Sequence, residues 1–507
     1  MSLKRNLLAN YLGQGWTALM GLAFVPLYIK YLGMEAYGLI GLFAVLQAWL
    51  SLLDMGMTPT LNREVARYTA GAHSPASIRD LIRTFEIVCY GMALLIAVIL
   101  GGASDWIARE WLNAQALAAE DVARAITLMG IVAALRFVEG LYRGALLGFQ
   151  KHVWLNLVSA IFATFRGLGA VILLIWVAPT IQTFFLWQVV ISAATVLVLR
   201  WGAHRSLPVL ARRPLFSVHA FSDVWKFAGG MFVTTMLALL LTQIDKLLLS
   251  RLLPLETFGT YMFASAVAGV LFQLIGPIAQ SYYPRFTELV THGDDKAVSA
   301  AYHQAAQLMT IMLVPAGLAL IVFGEPLLLV WTRNSVVAEA ASPIVAVLAL
   351  GTIFNGWMHI PYMLQLAYGW TSLTVWVNIV AASVLVPAIF FAVPHFGPIG
   401  AAWAWLIVNA GYVLFEVHFM HARLLRGQKG EWFFRDIAIP SSAAIAAIAF
   451  AALVQPSFSG SVGTVVWIVC ATVTAYFFAV LGSSRFRPYF SKSLMVIANW
   501  KDCGARK

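Results

Sequence analysis

The sequence predicts an all-α polytopic membrane protein with about 14 transmembrane helices, and three observations carry that prediction. Of its 507 residues, 61% are hydrophobic and only 11% are charged, where a soluble domain carries about 25% charged residues. A soluble chain of this length could bury a large core, but it could not solvate a surface with so few charges. Apolar runs recur along the chain, each near the roughly 20 residues that a bilayer-spanning helix needs. The alternating segments of about 10 residues that mark a membrane β-barrel are absent.

Reading the apolar runs between Gly, Pro and charged punctuation places helices at 7–29, 37–60, 85–103, 122–147, 153–176, 181–201 and 225–250. Seven more fall at 258–283, 301–323, 342–368, 373–392, 399–421, 436–454 and 463–482. The opening "MSLKRNLLANYLGQGW" resembles a signal peptide. Its apolar character continues to Ile29 without a small-residue cleavage site, so it reads as an uncleaved first span.

The net charge of +11 does not form one patch. Basic residues sit in alternate interhelical loops, which argues against a nucleic-acid partner. One set of loops holds Arg63, Arg67, Arg79, Arg83, Lys151, Arg205, Arg212 and Arg213, and continues to the tail residues Arg485 and Arg487. The opposite set holds only Lys30, Arg109, Arg251 and Arg333. By the positive-inside rule this asymmetry puts both termini in the cytoplasm. Cys89, Cys470 and Cys503 lack CxxC spacing, so neither a disulfide framework nor a metal site is indicated.

An internal repeat organises the spans. "LGMEAYGLI" at 32–40 matches "LPLETFGTY" at 253–261 with an offset of 221. "VWLNLV" at 153–158 matches "VWVNIV" at 375–380 with an offset of 222. "TIQTFFLWQVV" at 180–190 pairs with "PIGAAWAWLIV" at 398–408. Three matches in one order indicate a duplicated six-helix unit. The expected layout is an N-lobe at 1–201, a cytoplasmic linker at 202–224 and a C-lobe at 225–421. Two extra helices with their preceding loop fill 422–482, and a basic cytoplasmic tail fills 483–507. Parallel repeats of this kind place a transport site between the halves, near the membrane midplane.

Charges inside spans are costly and mark pathways or mutual pairs. Arg136 and Arg166 fall nearest the middle of neighbouring helices four and five. Arg136, Glu139 and Arg143 share one helix face at i, i+3, i+7. They form either a cationic wall for a polyanionic headgroup, since Arg matches phosphate geometry, or a self-satisfied network. Arg166 has no carboxylate at i±3 or i±4, which favours a lumen-facing position. Asp54 either caps the next helix or ties Arg63 or Arg67. Glu416 lies near the cytoplasmic edge, and His359 reads as a packed polar residue rather than a proton carrier.

In "LTQIDKLLL", Asp245 and Lys246 lie toward the periplasmic end of helix seven. Adjacent positions point about 100° apart, so a simple face-to-face ion pair is not expected. Lys246 is expected to snorkel outward and Asp245 to turn inward, as a polar site of one lobe near an outer gate. Trp376, Trp403 and Trp405 either face lipid or stack on sugars. No Gly-rich phosphate loop, HExxH or GxSxG is present, so no enzyme is predicted.

The segments "YLGMEAYGLIG", "LLDMGMTPTLNREVAR", "YRGALLGFQKH" and "TQIDKLLLSRLLPLETFGTYMFA" resemble the Wzx/RfbX-type polysaccharide flippases of the MOP superfamily, which also holds MATE exporters and MurJ-like lipid flippases. The resemblance covers the first twelve helices. It implies a V-shaped pair of six-helix lobes around a cationic cavity and export of an undecaprenyl-diphosphate-linked oligosaccharide to the periplasmic leaflet. Alternating access coupled to H+, Na+ or membrane potential would drive it. The partners implied are the lipid-linked oligosaccharide, membrane lipids, a polysaccharide polymerase and a chain-length regulator, and no cofactor is expected. The candidate substrate-binding residues are Arg136, Arg166, Arg143 and Lys246. Asp245, Glu139, Asp54, Glu416 and His359 are candidates for coupling, gating or a polar network. A MATE-like antiporter for small cations is the alternative, against which stands the basic character of Arg136 and Arg166. A glycan polymerase or acyltransferase would need a catalytic loop, and the longest non-cytoplasmic loops, 104–121 and 324–341, carry no paired constellation.

Overall fold

A computed structural model describes residues 3–208, 212, 214–216, 236, 239–456 and 460–488, with side chains from Leu12 onward. The chain divides into two compact units, Met1–Gly259 and Thr260–Lys507. The only β-bridge among the described residues joins Asn113 to Pro254.

The first unit opens with α1 (Leu3–Ala23) and α2 (Val25–Leu32), broken at Phe24, followed by α3 (Met34–Leu50). A 3-10 turn at Ser51–Asp54 leads to α4 (Met57–Thr69) and then α5 (Pro75–Trp106), which ends in a π turn at Ile107–Trp111. The unit continues with α6 (Ala119–Gly148), α7 (His152–Trp176), α8 (Ile181–Arg205) and α9 at 239–252. Helix starts are set by local chemistry. The Ser74 hydroxyl accepts from Ser77 N at 3.1 Å, with Pro75 at the first helical position of α5. Thr180 caps α8 in the same way. Helix α6 is the hub: α5, α8 and α4 all pack along it, and α1 packs on α7. Small residues allow this, since a side chain at Gly144 would meet the Thr58 carbonyl at 2.8 Å.

Helix α10 (Leu255–Gly269) begins in this unit, and its first turn packs on the first turn of α3. These turns are the two copies of the 221-residue repeat box. They approach so closely that a side chain at Gly38 would meet the Leu255 carbonyl at 2.5 Å, and one at Gly259 would meet the Met34 carbonyl at 2.4 Å.

The second unit continues with α11 (Phe272–His292), α12 (Asp295–Val322), α13 (Gly324–Thr332), α14 (Ser335–Ala367), α15 (Ser372–Phe396) and α16 (Pro398–Gly411). A π segment at Tyr412–Glu416 joins α16 to α17 (Val417–Arg423). The short α18 (Lys429–Glu431) runs through a second π segment into α19 (Ile439–Leu453), and α20 (Ser461–Gly482) follows. Helix α12 anchors this unit, with Tyr302, Met309 and Leu313 fully buried against Ile353 of α14, Ile448 of α19 and Ala475 of α20.

Twelve described helical stretches are long and apolar enough to cross a membrane, and α10 with α11, bent by 41°, makes up to thirteen. They overlie the expected spans except the seventh, 225–250, most of whose first half lies outside the described residues. About half of the expected linker at 202–224 also lies outside them.

Candidate functional site

The four charges singled out on helices four and five come together in the first unit. Arg136 and Arg166 lie near the middle of α6 and α7, and Glu139 stands beside them on α6. Arg143 Nε donates to Glu139 Oε1 at 2.9 Å, as the i+4 spacing demands, and Arg143 Nη2 donates to the Ser159 hydroxyl at 2.8 Å. Arg136 donates from Nη1 to Gln47 Oε1, and its guanidinium lies 5.1 Å from the Phe43 ring centroid. Phe43 and Gln47 are one turn apart on α3, so a single helix face supplies both contacts.

Arg166, which has no carboxylate within a turn on its own helix, meets one across helices: its Nη2 stands 4.0 Å from Glu139 Oε2. One carboxylate is therefore shared by two arginines, while Arg136 rests on an amide and an aromatic ring. Three guanidinium groups against one carboxylate leave this cluster with two net positive charges. The Nε groups of Arg136 and Arg166 are buried with no hydrogen-bond partner. Buried donors without partners are expensive unless a ligand satisfies them.

The remaining predicted residues make other contacts. Asp54 is a cap: its carboxylate accepts from Thr58 N at 3.2 Å and Thr58 Oγ1 at 2.7 Å at the start of α4. Arg63 and Arg67 instead pair with Glu64, at 2.8 and 3.0 Å, and His73 Nε2 joins them at 2.7 Å. Burial alone would raise the Glu64 carboxyl, but the bonds from His73 and Arg63 and the Arg67 charge outweigh it and hold the group below its usual value. Glu416 is buried in the second unit, accepting from Gln365 Nε2 at 3.0 Å. His359 Nδ1 meets the Asn355 carbonyl at 2.9 Å, a packed polar contact.

The reading of Lys246 is corrected. Lys246 does not snorkel away, because its ammonium lies 3.4 Å from Asp245 Oδ1 and donates to the Thr242 carbonyl at 2.9 Å. The 100° offset separates the two Cβ directions, but the lysine's four-carbon arm reaches back across it.

Two polar clusters were missed. Glu86 on α5 accepts from Tyr142 Oη at 2.8 Å, with His204 Nε2 at 2.7 Å and Arg83 Nη1 at 3.3 Å. In the second unit, His303 on α12 bonds through Nδ1 to Asp436, and its Nε2 lies 3.0 Å from Gln428 Oε1. Gln307 Nε2 donates to Asp436 Oδ1 at 2.8 Å and to Ser484 Oγ at 3.0 Å, and Gln307 Oε1 accepts from Arg485 N at 3.1 Å. This network ties the last two spanning helices to α12. The missed signal was present in the sequence, since Glu86, His303 and Asp436 all fall within the spans drawn from it. Among the described residues, no group of three or more His, Cys, Asp or Glu could hold a metal ion.

An all-helical chain of many membrane spans with a basic cluster at mid-helix is the architecture of a multi-pass membrane transporter. Its fold is similar to two solved structures. The lipid II flippase MurJ, in an inward closed conformation, aligns with a TM-score of 0.71 at 13% identity, covering 97% of this chain and 99% of that one. An inward-facing MATE family multidrug transporter of the MOP superfamily aligns with a TM-score of 0.66 at 13% identity, covering 80% and 94%. The chain belongs to the polysaccharide biosynthesis protein family, whose model matches residues 3–290. The MatE family model matches residues 231–391. A Shigella flexneri protein named "Putative O-antigen transporter" is 20% identical over 410 residues, covering 80% of this chain and 95% of that protein.

Proposed function

We propose that this protein is a flippase that carries an undecaprenyl-diphosphate-linked oligosaccharide from the cytoplasmic to the periplasmic leaflet for cell-surface polysaccharide synthesis. The observation that carries the reading is the excess of guanidinium groups over carboxylate in the mid-helix cluster of Arg136, Glu139, Arg143 and Arg166. A diphosphate needs fixed cations and N–H donors where the membrane offers neither, and arginine supplies both in one planar group. The family, together with the names of the Shigella flexneri relative and of MurJ, supports the same reading. In this reading both termini lie in the cytoplasm, and transport proceeds by alternating access driven by H+, Na+ or membrane potential. Lys246, paired with Asp245, is a further basic residue of the first unit that would face the substrate path in this reading. A polymerase and a chain-length regulator act on the delivered product.

The MatE match and the MATE-like fold favour a second reading, export of small cations. The positive cluster opposes it, because a cation at mid-helix would meet three guanidinium groups and a carboxylate, Glu139, already shared by two of them. The test replaces the chromosomal gene with Arg136→Ala and Arg166→Ala at matched protein level. At least a tenfold loss of surface glycan is expected, with lipid-linked repeat units accumulating inside the cell and partial recovery in the Lys variants. Normal glycan in both Ala variants, or lost resistance to cationic dyes with glycan intact, overturns the flippase reading.

A further inference from the structure

We propose that the protein holds an anionic glycerophospholipid in a pocket on the flank of the first unit, separate from the Arg136 cluster. The pocket has a volume of about 520 Å³ and lies where the end of α6, the start of α7 and the end of α8 meet. Its lining includes Lys151, Trp154, Leu157, Trp201 and Arg205. Both cations belong to the loop set that the positive-inside rule assigns to the cytoplasm, the leaflet surface richest in anionic lipid. Among the described residues neither Lys151 nor Arg205 forms an ion pair, so each charge stands uncompensated. Arg205 is instead held over the Trp201 ring at 5.1 Å. Trp154 and Trp201 stand with ring centroids 6.5 Å apart, and the Trp154 ring occupies the space where a side chain at Gly202 would project. Two tryptophans beside two free cations match the composition of a headgroup-level site.

The apolar half of the ligand has its own path. Leu157, one of the lining residues, is 58% exposed. From there Ile161, Phe165, Leu168, Ile172 and Ile175 continue an exposed stripe along α7. Their spacing of three and four keeps them on one helix face over most of the helix length. Arg166 is nine positions from Leu157, about half a revolution round the helix, so stripe and arginine point in opposite directions. A phosphate at Lys151 and Arg205 with an acyl chain along the stripe uses both halves of the surface. A free phosphate would leave the stripe empty.

The test is native mass spectrometry of the full chain in neutral detergent, titrated with phosphatidylglycerol, phosphatidylcholine or glycerol 3-phosphate. Phosphatidylglycerol is expected to bind at least about tenfold tighter than phosphatidylcholine, with no glycerol 3-phosphate bound where the lipid saturates. Lys151→Gln with Arg205→Gln weakens phosphatidylglycerol about 30-fold, from about fivefold per basic side chain near the surface. Lys296→Gln with Arg426→Gln, which removes equal charge elsewhere, leaves binding intact. A photoactivatable phosphatidylglycerol bound to the unaltered protein cross-links within 150–175 and 201–206, a readout that survives misfolding of any variant. Equal binding of the two lipids, saturation by glycerol 3-phosphate, displacement by farnesyl diphosphate at equal concentration, equal loss in both double variants, or cross-links confined elsewhere each overturns the proposal. None of these readouts depends on glycan export, so failure here is distinct from failure of the flippase reading.

Discussion

Gly38 and Gly259 occupy equivalent positions in two copies of one sequence box, and each lies against the other copy's backbone: Gly38 on the Leu255 carbonyl, Gly259 on the Met34 carbonyl. Met34 and Leu255 are themselves 221 positions apart, as are the two glycines, so the crossing is reciprocal. A side chain at either glycine must displace backbone, which cannot swing aside as a flexible side chain can. Gly38→Val and Gly259→Val are expected to lower stability by about 1–3 kcal/mol each, the usual cost of overpacking. Gly269→Ala, with open space around its Cβ, serves as the neutral control. Thermal melts of the three purified variants decide the matter, and equal melts for all would mean that the crossing does not constrain the fold.

The Asp245–Lys246 contact makes a quantitative claim, because the two residues couple at 3.4 Å despite being neighbours on one helix. A double-mutant cycle of Asp245→Asn and Lys246→Gln should give a favourable coupling of about 1 kcal/mol. Strictly additive effects would restore the view that the lysine extends away from its neighbour.

Glu64 gives a pH dependence whose sign follows from its lowered folded-state pKa. A carboxylate held below its unfolded value stabilises the protein above that value, about 4.3 for glutamate, and loses the contribution as pH falls through the folded value. Arg63 and Arg67 are more than half exposed, so the effect is screened to less than about 1 kcal/mol. The melting difference between unaltered protein and Glu64→Gln should be present at neutral pH and shrink on acidification below about 4.3. A difference that grows on acidification would reverse the assignment.

His303 and Asp436 are almost wholly buried and bonded to each other. Removing one partner of a buried pair strands the other, at about 3–5 kcal/mol. Asp436→Ala and His303→Ala should each lower the melting temperature strongly, while the joint change costs clearly less than the sum. Cleavage between α19 and α20 by added protease should rise in either single variant. Additive losses with unchanged cleavage would show that the pair does not hold these helices.

The parts of this fold legible in the sequence are those written in one dimension. An apolar run of bilayer length declares a span, and the Glu139–Arg143 bond follows from i+4 spacing alone. The Gly boxes were visible as a repeated string, although their mutual contact was not. Contacts between helices leave no such trace: Gln47 and Arg136 are 89 positions apart, and His303 and Asp436 are 133 apart. Arg166 has no carboxylate within a turn on its own helix, and the one it meets, Glu139, belongs to the neighbouring helix. Asp245 and Lys246 were separated by treating side chains as rigid spokes, which a lysine is not.

The network from Gln307 to Ser484 and Arg485 fastens the end of α20 to α12, and α20 carries the exposed Cys470 while Cys89 is buried. With Cys503 replaced, a membrane-permeant maleimide probe placed on the lipid-facing Cys470 would ride on a helix bolted to the core of the second unit. The molecule thus supplies its own reporter handle for following the second unit through a transport cycle.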